Sequence, residues 1–350
     1  MTYRSYIKSF LISVILILIV DIILLILIDP YRTFNLIKKN HNLYSTDLKM
    51  STYGILNNAP YDSIILGSSM LHSMDPLYAN SNLGGQFINI SLSNGALSYR
   101  SQVLEYALSK KKLKHVIFSV DAFRESEKRF DKGEGFNKFY IGFRYLKYLH
   151  CYVISCSNFK DINNLVEWPK SYENYFGSVL SAQRKKALKK MISDINSPND
   201  DYDITKISKA YDQIIFDKYL LRLINQYPET NFHLIFPPYS RMKYAVLKQK
   251  ENNFDLYKRR IDMIVTQLEK YSNAKVYGFD DLPFLDDLSN YMDGIHHHPK
   301  FNYLQIDLIK NKQSIISLSN LETYLSLIEN LAYSLDLEET LLDLNRMVEE

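Results

Sequence analysis

Several sequence features that commonly indicate a function are scarce or missing in this sequence of 350 residues. It has neither the paired Cys and His spacing of a zinc finger nor a glycine-rich loop of the kind that cradles phosphates. Its 42 basic and 39 acidic residues leave a net charge of +3, far from the basic excess of nucleic-acid-binding proteins. We therefore expect no cofactor, no nucleotide-dependent chemistry and no nucleic-acid partner.

Cysteine is also scarce, since Cys151 and Cys156 are the only two. A disulfide across the four intervening residues can form in an oxidising compartment, and two unpaired thiols fit the sequence at least as well. The triplet His296-His297-His298 has no second cluster of His or Cys that would complete a metal site, so we expect no bound metal. At most one or two of these consecutive histidines can serve a common site.

A long apolar run near the N-terminus is the clearest feature that the sequence does contain. Residues 10–28 include one charged residue, Asp21, and as a helix they would span roughly 28 Å, close to the thickness of a hydrocarbon core. No small-x-small cleavage site follows, so we expect residues 1–29 to be an N-terminal tail and an uncleaved transmembrane anchor. An ionised Asp21 would cost about 3 kcal/mol there, which favours a neutral or paired carboxyl.

Basic residues do not fix the orientation of this anchor. Two precede the apolar run and three follow it closely, namely Arg4 and Lys8, then Arg32, Lys38 and Lys39. The positive-inside rule therefore does not favour a cytoplasmic N-terminus.

After a linker at residues 30–58, short apolar runs alternate with stretches of helical spacing. The predicted strands are residues 63–66, 87–92, 116–120, 232–236 and 275–279, and the predicted helices are residues 97–111, 207–226 and 244–271. This alternation predicts an α/β domain, a parallel sheet with helices on both faces, whose ligands bind at the carboxyl ends of the strands. Ser69, Gly95 and Asp121 each follow a predicted strand, so we expect them at that edge.

The α/β domain is expected to cover residues 59–320, with an insertion at about residues 122–205. The insertion is rich in aromatic and basic residues, including the helix-like basic run at 184–190. It could be a solvated helical cap, an acceptor groove for sugars or anionic polymers, or a helix that lies on an anionic membrane surface. Residues 321–350 have the pattern of one acidic amphipathic helix, for packing or for binding a partner.

A candidate nucleophile and a candidate acid–base pair lie far apart in the chain. Ser69 follows a predicted strand, where a hydroxyl is exposed and the N–H groups of the turn can point toward an anionic intermediate. Asp293 and His296 are three residues apart, which allows the carboxylate to hydrogen-bond the imidazole and fix its tautomer. We expect the other ring nitrogen of His296 to face Ser69.

These segments resemble, in order, the sequence blocks of the SGNH/GDSL hydrolase superfamily. They are more similar to its membrane-anchored branch, which acts in cell-surface polysaccharide O-acetylation and teichoic-acid D-alanylation. Gly67-Ser68-Ser69 resembles the first block, with Ser69 at the nucleophile position and Ser68 in place of the usual aspartate. Asp293 and His296 match the last block. The resemblance covers roughly residues 29–310 and implies a three-layer, flavodoxin-like fold with the domain outside the cytoplasm.

The resemblance also implies an oxyanion hole. Residues 89–95 are similar to the second block, whose glycine supplies an N–H group, and this role carries over to Gly95. The third block departs from the pattern, because Asp121 stands where the superfamily has an asparagine, and a carboxylate cannot donate to an oxyanion. Either the N–H groups of Ser69 and Gly95 form the hole, with help from the Asn94 amide, or catalysis is weak.

A substrate pocket is expected beside these residues. Asp121 lies at the same predicted edge, and Pro238 and Tyr239 follow the predicted strand 232–236. A rigid loop without substrate contact is an equal alternative for Pro238 and Tyr239.

The function implied by the resemblance is a membrane-anchored serine acyl-ester hydrolase or O-acyltransferase of the cell envelope. Its expected partners are a cell-surface glycan, membrane lipid and a membrane-bound acyltransferase. Two alternatives remain open. The domain could be a catalytically silent binding module or structural partner of such an acyltransferase, or an anchor whose C-terminal helix recruits other proteins.

Overall fold

The computed structural model describes residues 3–28, 48–92, 95–121, 182–196, 209–249 and 253–349. The chain divides into two compact units, one formed by residues 1–60 and 135–167 and the other by residues 61–134 and 168–350. Cys151 and Cys156 and most of the predicted insertion lie outside the described residues.

The first unit contributes two described helices. Helix α1 (Tyr3–Ile28) has 26 residues, and its stretch Tyr3–Val20 has a mean hydropathy of 1.8, so it is long and apolar enough to cross a membrane. Helix α2 (Leu48–Asn58) shows that the predicted linker ends in a helix.

A six-stranded sheet forms the centre of the second unit. The strands are β1 (Ser63–Leu66), β2 (Phe87–Asn89), β3 (His115–Ser119), β4 (Asn231–Phe236), β5 (Ala274–Gly278) and β6 (Ile315–Ile316), in the spatial order β2-β1-β3-β4-β5-β6. The first five strands are parallel, and β6 pairs antiparallel with β5. All five predicted strands are present. The expectation of a purely parallel sheet is corrected at this one edge.

Apolar strands explain why the sheet lies between helices. Every residue of β1 is buried, as expected for a parallel strand that is covered on both faces. On one face, Ile65, Ile117 and Ile235 pack against helices α3 (Pro76–Leu83) and α10 (Lys300–Lys310).

The remaining helices confirm the predicted helix 207–226 over its described residues and divide the predicted helix 244–271. They are α4 (Leu97–Lys110), α5 (Ala182–Asn196), α6 (Lys209–Phe216), α7 (Arg222–Gln226), α8 (Arg241–Lys248), α9 (Asn253–Leu268), α11 (Leu321–Ser334) and α12 (Leu337–Glu349). The predicted helix 207–226 continues from α6 to α7 through a π-helical turn, Asp217–Leu221. The predicted helix 244–271 is two helices, α8 and α9, and α8 starts earlier because the Ser240 side chain caps it by accepting from the Lys243 N–H.

The C-terminal segment is two helices, and the expectation of one helix is wrong. Leu335 has an extended backbone with φ −75° and ψ 122°, which ends α11. The Asp336 carboxylate then accepts the N–H groups of Glu338 and Glu339 at 2.8 and 3.1 Å and starts α12.

Helix α5 is the described part of the predicted insertion and contains the basic run. Its buried side, with Leu188 and Met191, packs against the buried Leu344 of α12. Lys186, Lys189 and Lys190 are exposed. Helix α12 is therefore a packing helix within the second unit.

Candidate active site

Three loops meet where the first three strands end. Because β1 lies between β2 and β3 in the parallel sheet, the loops after these strands share one edge. The loop after β1 carries Ser69, the loop after β2 carries Gly95, and the loop after β3 carries Asp121. The sheet thus brings three sequence-predicted residues to its carboxyl edge.

Ser69 begins a short 3-10 turn, Ser69–Leu71, directly after β1. The side chain of Ser68 caps this turn by accepting the Met70 N–H at 3.3 Å. A Cβ on Gly67 would lie 2.6 Å from Leu71 Cγ and 2.8 Å from the Ser119 hydroxyl oxygen, so a side chain at this position would collide with its neighbours. Glycine at this position therefore lets the Leu71 and Ser119 side chains pack against the backbone.

The structure brings Ser69 and His296 together. Ser69 Oγ lies 2.7 Å from His296 Nε2, across 227 positions in the sequence. Ser69 and His296 are both partly exposed.

Asp293 completes the relay on the far side of the imidazole. Its Oδ2 lies 2.8 Å from His296 Nδ1, and its Oδ1 accepts the backbone N–H groups of His296 at 2.8 Å and Ile295 at 3.2 Å. Burial alone would raise the pKa of Asp293, but the hydrogen bonds and charge of His296 lower it to about 2. An ionised carboxylate at this position favours the tautomer with the proton on Nδ1, which leaves the lone pair of Nε2 for the Ser69 hydroxyl.

Neighbouring elements hold the loop that carries Asp293 and His296. Gly294 has a φ of +75°, and its carbonyl oxygen accepts the Ser240 hydroxyl at 2.7 Å. Arg184 of α5 donates to the Tyr291 carbonyl and, at 3.1 Å, to the Leu288 carbonyl. The loop is therefore tied to α5 and to the start of α8.

The other two histidines of the triplet face elsewhere. His297 is buried, which lowers its pKa to about 4, and its Nε2 lies 3.0 Å from the Asn302 side-chain oxygen. His298 Nδ1 accepts the Lys300 N–H at 3.1 Å. Within the described residues, no three His, Cys, Asp or Glu side chains are grouped so that they could hold a metal ion.

The three predicted oxyanion donors differ in whether they are free to bind an oxyanion. The N–H of Gly95 donates to the Leu92 carbonyl at 3.0 Å, so this donor is engaged. Asn94 lies outside the described residues. The backbone N–H of Ser69 donates to no other group in the part of the chain that the structure describes. Ser69 therefore offers the available donor nearest to its own hydroxyl.

Asp121, Pro238 and Tyr239, expected to line a pocket, are buried. The Asp121 carboxylate accepts the Ser68 hydroxyl at 2.9 Å, and the Tyr239 hydroxyl lies 3.4 Å from the same oxygen. Asp121 and Tyr239 thus support the serine turn from within the protein, and contact of these residues with a substrate stays a prediction.

Sequence reasoning missed one residue of this region, Arg100. Its side chain is fully buried and pairs with Asp121, with 3.1 Å between Nη2 and Oδ2. A signal existed in the sequence, because Arg100 lies three residues after Leu97 and three before Val103, on the apolar stripe of α4. An arginine on a buried stripe requires an internal partner.

Comparisons with known proteins add little to this geometry. No family model matches the chain, and no curated protein matches it. One similar solved structure is described as "a putative platelet activating factor from Streptococcus pneumonia". It is 9% identical, covers 77% of this chain and 91% of its own, and has a TM-score of 0.40. A similarity of that degree carries no argument about fold or function.

Proposed function

We propose that this protein is a membrane-anchored, SGNH-like serine acyl-ester hydrolase or O-acyltransferase that acts on a cell-surface polysaccharide. One observation carries the proposal, namely the continuous relay from Ser69 Oγ to His296 Nε2 and from His296 Nδ1 to Asp293, at 2.7 and 2.8 Å. An aligned hydroxyl, imidazole and carboxylate activate a serine for attack on an acyl carbonyl.

The first half-reaction forms an acyl-serine. His296 Nε2 accepts the hydroxyl proton as Ser69 Oγ attacks the carbonyl carbon of the ester. Asp293 stabilises the resulting imidazolium, and the Ser69 N–H donates to the oxyanion, a contribution of about 3 kcal/mol. The intermediate then expels the alcohol oxygen, which takes the proton from His296.

The second half-reaction determines the class of enzyme. An incoming hydroxyl gives its proton to His296 and attacks the acyl carbon, and Ser69 Oγ leaves and regains its proton. If water is the acceptor the protein is an esterase, and if a sugar hydroxyl is the acceptor it is an O-acyltransferase. Adding a glycan acceptor to an ester assay and measuring the acylated sugar against free acid separates the two.

The N-terminal helix and the family resemblance support the proposed location and substrate. Helix α1 is apolar enough to anchor the protein in a membrane. The polysaccharide, the extracytoplasmic side and a membrane-bound acyltransferase as partner come from the family that the motifs resemble.

A silent binding module is the second candidate, and one observation favours it. The Gly95 N–H is engaged with Leu92, so this expected oxyanion donor does not serve in this conformation, and position 121 holds a carboxylate where the resembled family has an asparagine. A silent module would keep the fold and bind a glycan without turnover.

Turnover of a chromogenic acetyl ester by the full chain in detergent tests the proposal. We expect Ser69→Ala and His296→Asn each to lower kcat by about 1000-fold or more, because either change breaks the relay. Ser81→Ala on the exposed side of α3 and His298→Asn are matched controls and should keep wild-type rates. Equal rates for Ser69→Ala and wild type would contradict the enzymatic function, and an inactive wild type that binds glycan would support the silent module.

A further inference from the structure

A buried arginine connects two of the three loops at the candidate active site. Arg100 Nε donates to the Gly95 carbonyl at 3.0 Å. Its Nη1 donates to the carbonyl and the hydroxyl oxygens of Ser119 at 2.6 and 3.0 Å, and its Nη2 pairs with Asp121 at 3.1 Å. All three nitrogens of the guanidinium therefore hold the loops that follow β2 and β3.

The same network reaches the loop that carries Ser69. The Asp121 carboxylate accepts the Ser68 hydroxyl at 2.9 Å and the Ser119 hydroxyl at 3.1 Å. The Ser119 hydroxyl oxygen in turn accepts the Ser68 N–H at 3.0 Å. Ser68, the residue directly before Ser69, is thus held at its backbone and at its side chain.

The position of Ser68 determines where the next peptide N–H points. Ser68 Oγ also accepts the Met70 N–H at 3.3 Å, so one side chain links Ser68 and Met70, the two neighbours of Ser69. The Ser69 N–H between them has no partner among the described residues. A donor of this kind stabilises an oxyanion only when the protein fixes its direction in advance.

We propose that Arg100 and Asp121 are positioning residues that orient the Ser69 N–H toward the oxyanion without touching the substrate. This inference rests on the proposed function of Ser69 as a nucleophile. It also explains why a carboxylate occupies position 121. Asp121 neutralises the buried Arg100 and accepts from Ser68, which an asparagine could do only in part.

Two variants test the network through the kinetics of ester turnover by the full chain. Asp121→Asn leaves Arg100 without its charge partner, and we expect kcat to fall at least tenfold with KM within twofold of wild type. The double variant Ser68→Asp with Asp121→Asn moves the carboxylate across the 2.9 Å hydrogen bond. We expect its kcat to be at least fivefold higher than that of Asp121→Asn alone. If the network were only structural, the variants would have a lower melting temperature, without a fall in kcat at constant KM.

Thr230→Val is the matched control, since Thr230 is buried at the opposite end of the sheet and its hydroxyl donates to the Leu113 carbonyl at 2.9 Å. It should lower stability and leave kcat unchanged. If Asp121→Asn does not fold, Ser68→Ala serves instead, because it keeps the ion pair and removes only the link to the turn. We expect Ser68→Ala to lower kcat at least fivefold at constant KM.

Several outcomes would overturn the inference. An unchanged kcat in an active Asp121→Asn or Ser68→Ala variant would show that the network does not orient Ser69. A higher kcat in Asp121→Asn would show that the side chain at 121 donates to the oxyanion directly. If wild type itself neither turns over esters nor reacts with a fluorophosphonate, the proposed function fails and the inference fails with it, whereas an active wild type with unaffected variants removes the inference alone.

Discussion

Asp293 is the residue whose charge sets the state of the relay. Its low pKa, about 2, keeps it ionised at every pH at which the protein would be assayed. We expect Asp293→Asn to lower kcat by roughly 1000-fold at pH 7, because an amide can stabilise the wrong imidazole tautomer. Asp287→Asn, at an exposed position a few residues earlier, should keep the wild-type rate. Equal rates for Asp293→Asn and wild type would remove Asp293 from the mechanism.

Gly67 offers a second test at the scale of a residue. Gly67→Ala places a methyl group against Leu71 and Ser119, so we expect a loss of about 1–3 kcal/mol in unfolding free energy and a lower kcat. Gly84 is the control, because a Cβ there has nothing within 4 Å and only the φ of +74° opposes it. Because ψ is 150°, this backbone lies in a region that glycine alone adopts readily, so Gly84→Ala should cost about 1–3 kcal/mol and leave kcat unchanged. Ester turnover therefore distinguishes the two glycines.

Residues in local motifs could be predicted from the sequence, whereas their partners could not. Ser69 follows a recognisable strand, and the spacing of Asp293 and His296 fixes their contact within one loop. The contacts of Asp121 with Ser68 and Arg100 join segments that only the folded sheet brings together. Periodicity places Arg100 on a buried stripe, but it does not say which carboxylate it meets.

The two C-terminal helices show that a helix boundary is also difficult to predict from the sequence. Residues 321–350 have a continuous amphipathic pattern, which predicts one helix. The break depends on a single cap, and Asp336-Leu337-Glu338-Glu339 has the D-x-x-E spacing of a helix start. Strand β6 was missed for a related reason, since two residues are too few for a periodic signal.

The cap at Asp336 gives a quantitative prediction for α12. Asp336→Ala removes the acceptor of two N–H groups, so we expect it to lower the unfolding free energy by about 1 kcal/mol. Asp336→Asn keeps an acceptor and should cost less. Chemical unfolding followed by circular dichroism measures both, and equal costs would show that the carbonyl group of the side chain is not the relevant feature.

Packing of α12 against α5 can be tested within one helix. Leu344 is fully buried in the cluster with Leu188 and Met191, whereas Leu342 is 59% exposed. We expect Leu344→Ala to cost about 2–5 kcal/mol and Leu342→Ala less than about 0.5 kcal/mol. If the exposed leucine were the costly one, α12 would bind another surface.

Because α12 packs against α5, deletion of residues 321–350 would unfold this region. Such a deletion could not isolate a role of these residues in recruiting partners.

Among the described residues, four buried ionisable groups with large pKa shifts contribute to the pH dependence of stability. Burial lowers the pKa of His72 to about 4, of His233 to about 3 and of His297 to about 4. These side chains are neutral when folded and gain protons when unfolded below about pH 6.5, so stability falls as the pH falls. Asp280 acts in the opposite direction, because burial raises its pKa to about 6 and the folded state holds the proton between about pH 4 and 6.

Taken together, these four groups bind about two more protons in the unfolded chain than in the folded chain between about pH 4 and 6. We therefore expect the unfolding free energy to drop by up to about 3 kcal/mol per pH unit in that range. Urea unfolding of the full chain at several pH values measures the slope. His233→Phe should reduce the slope by about one proton, and a flat profile from pH 6.5 to 4.5 would contradict the neutral burial of these histidines.

At the scale of the whole molecule, the sequence predicted the class of the fold better than its details. Short buried runs and intervening amphipathic stretches are strong signals, so the α/β sheet and the apolar N-terminal helix were both expected. The antiparallel edge strand and the division of two predicted helices depend on caps and pairings with weak signals. The orientation of α1 is not fixed by its flanking charges and remains a prediction.

The site of covalent modification by a fluorophosphonate tests the proposed nucleophile most directly. The full chain is treated with the probe, digested, and the modified residue is identified by mass spectrometry, with Ser69→Ala treated in parallel. Our proposal predicts one adduct on Ser69 in the wild type, within 2.7 Å of the base that activates it, and no labelling of the variant. An adduct on another residue, equal labelling of Ser69→Ala, or an unlabelled wild type would contradict it.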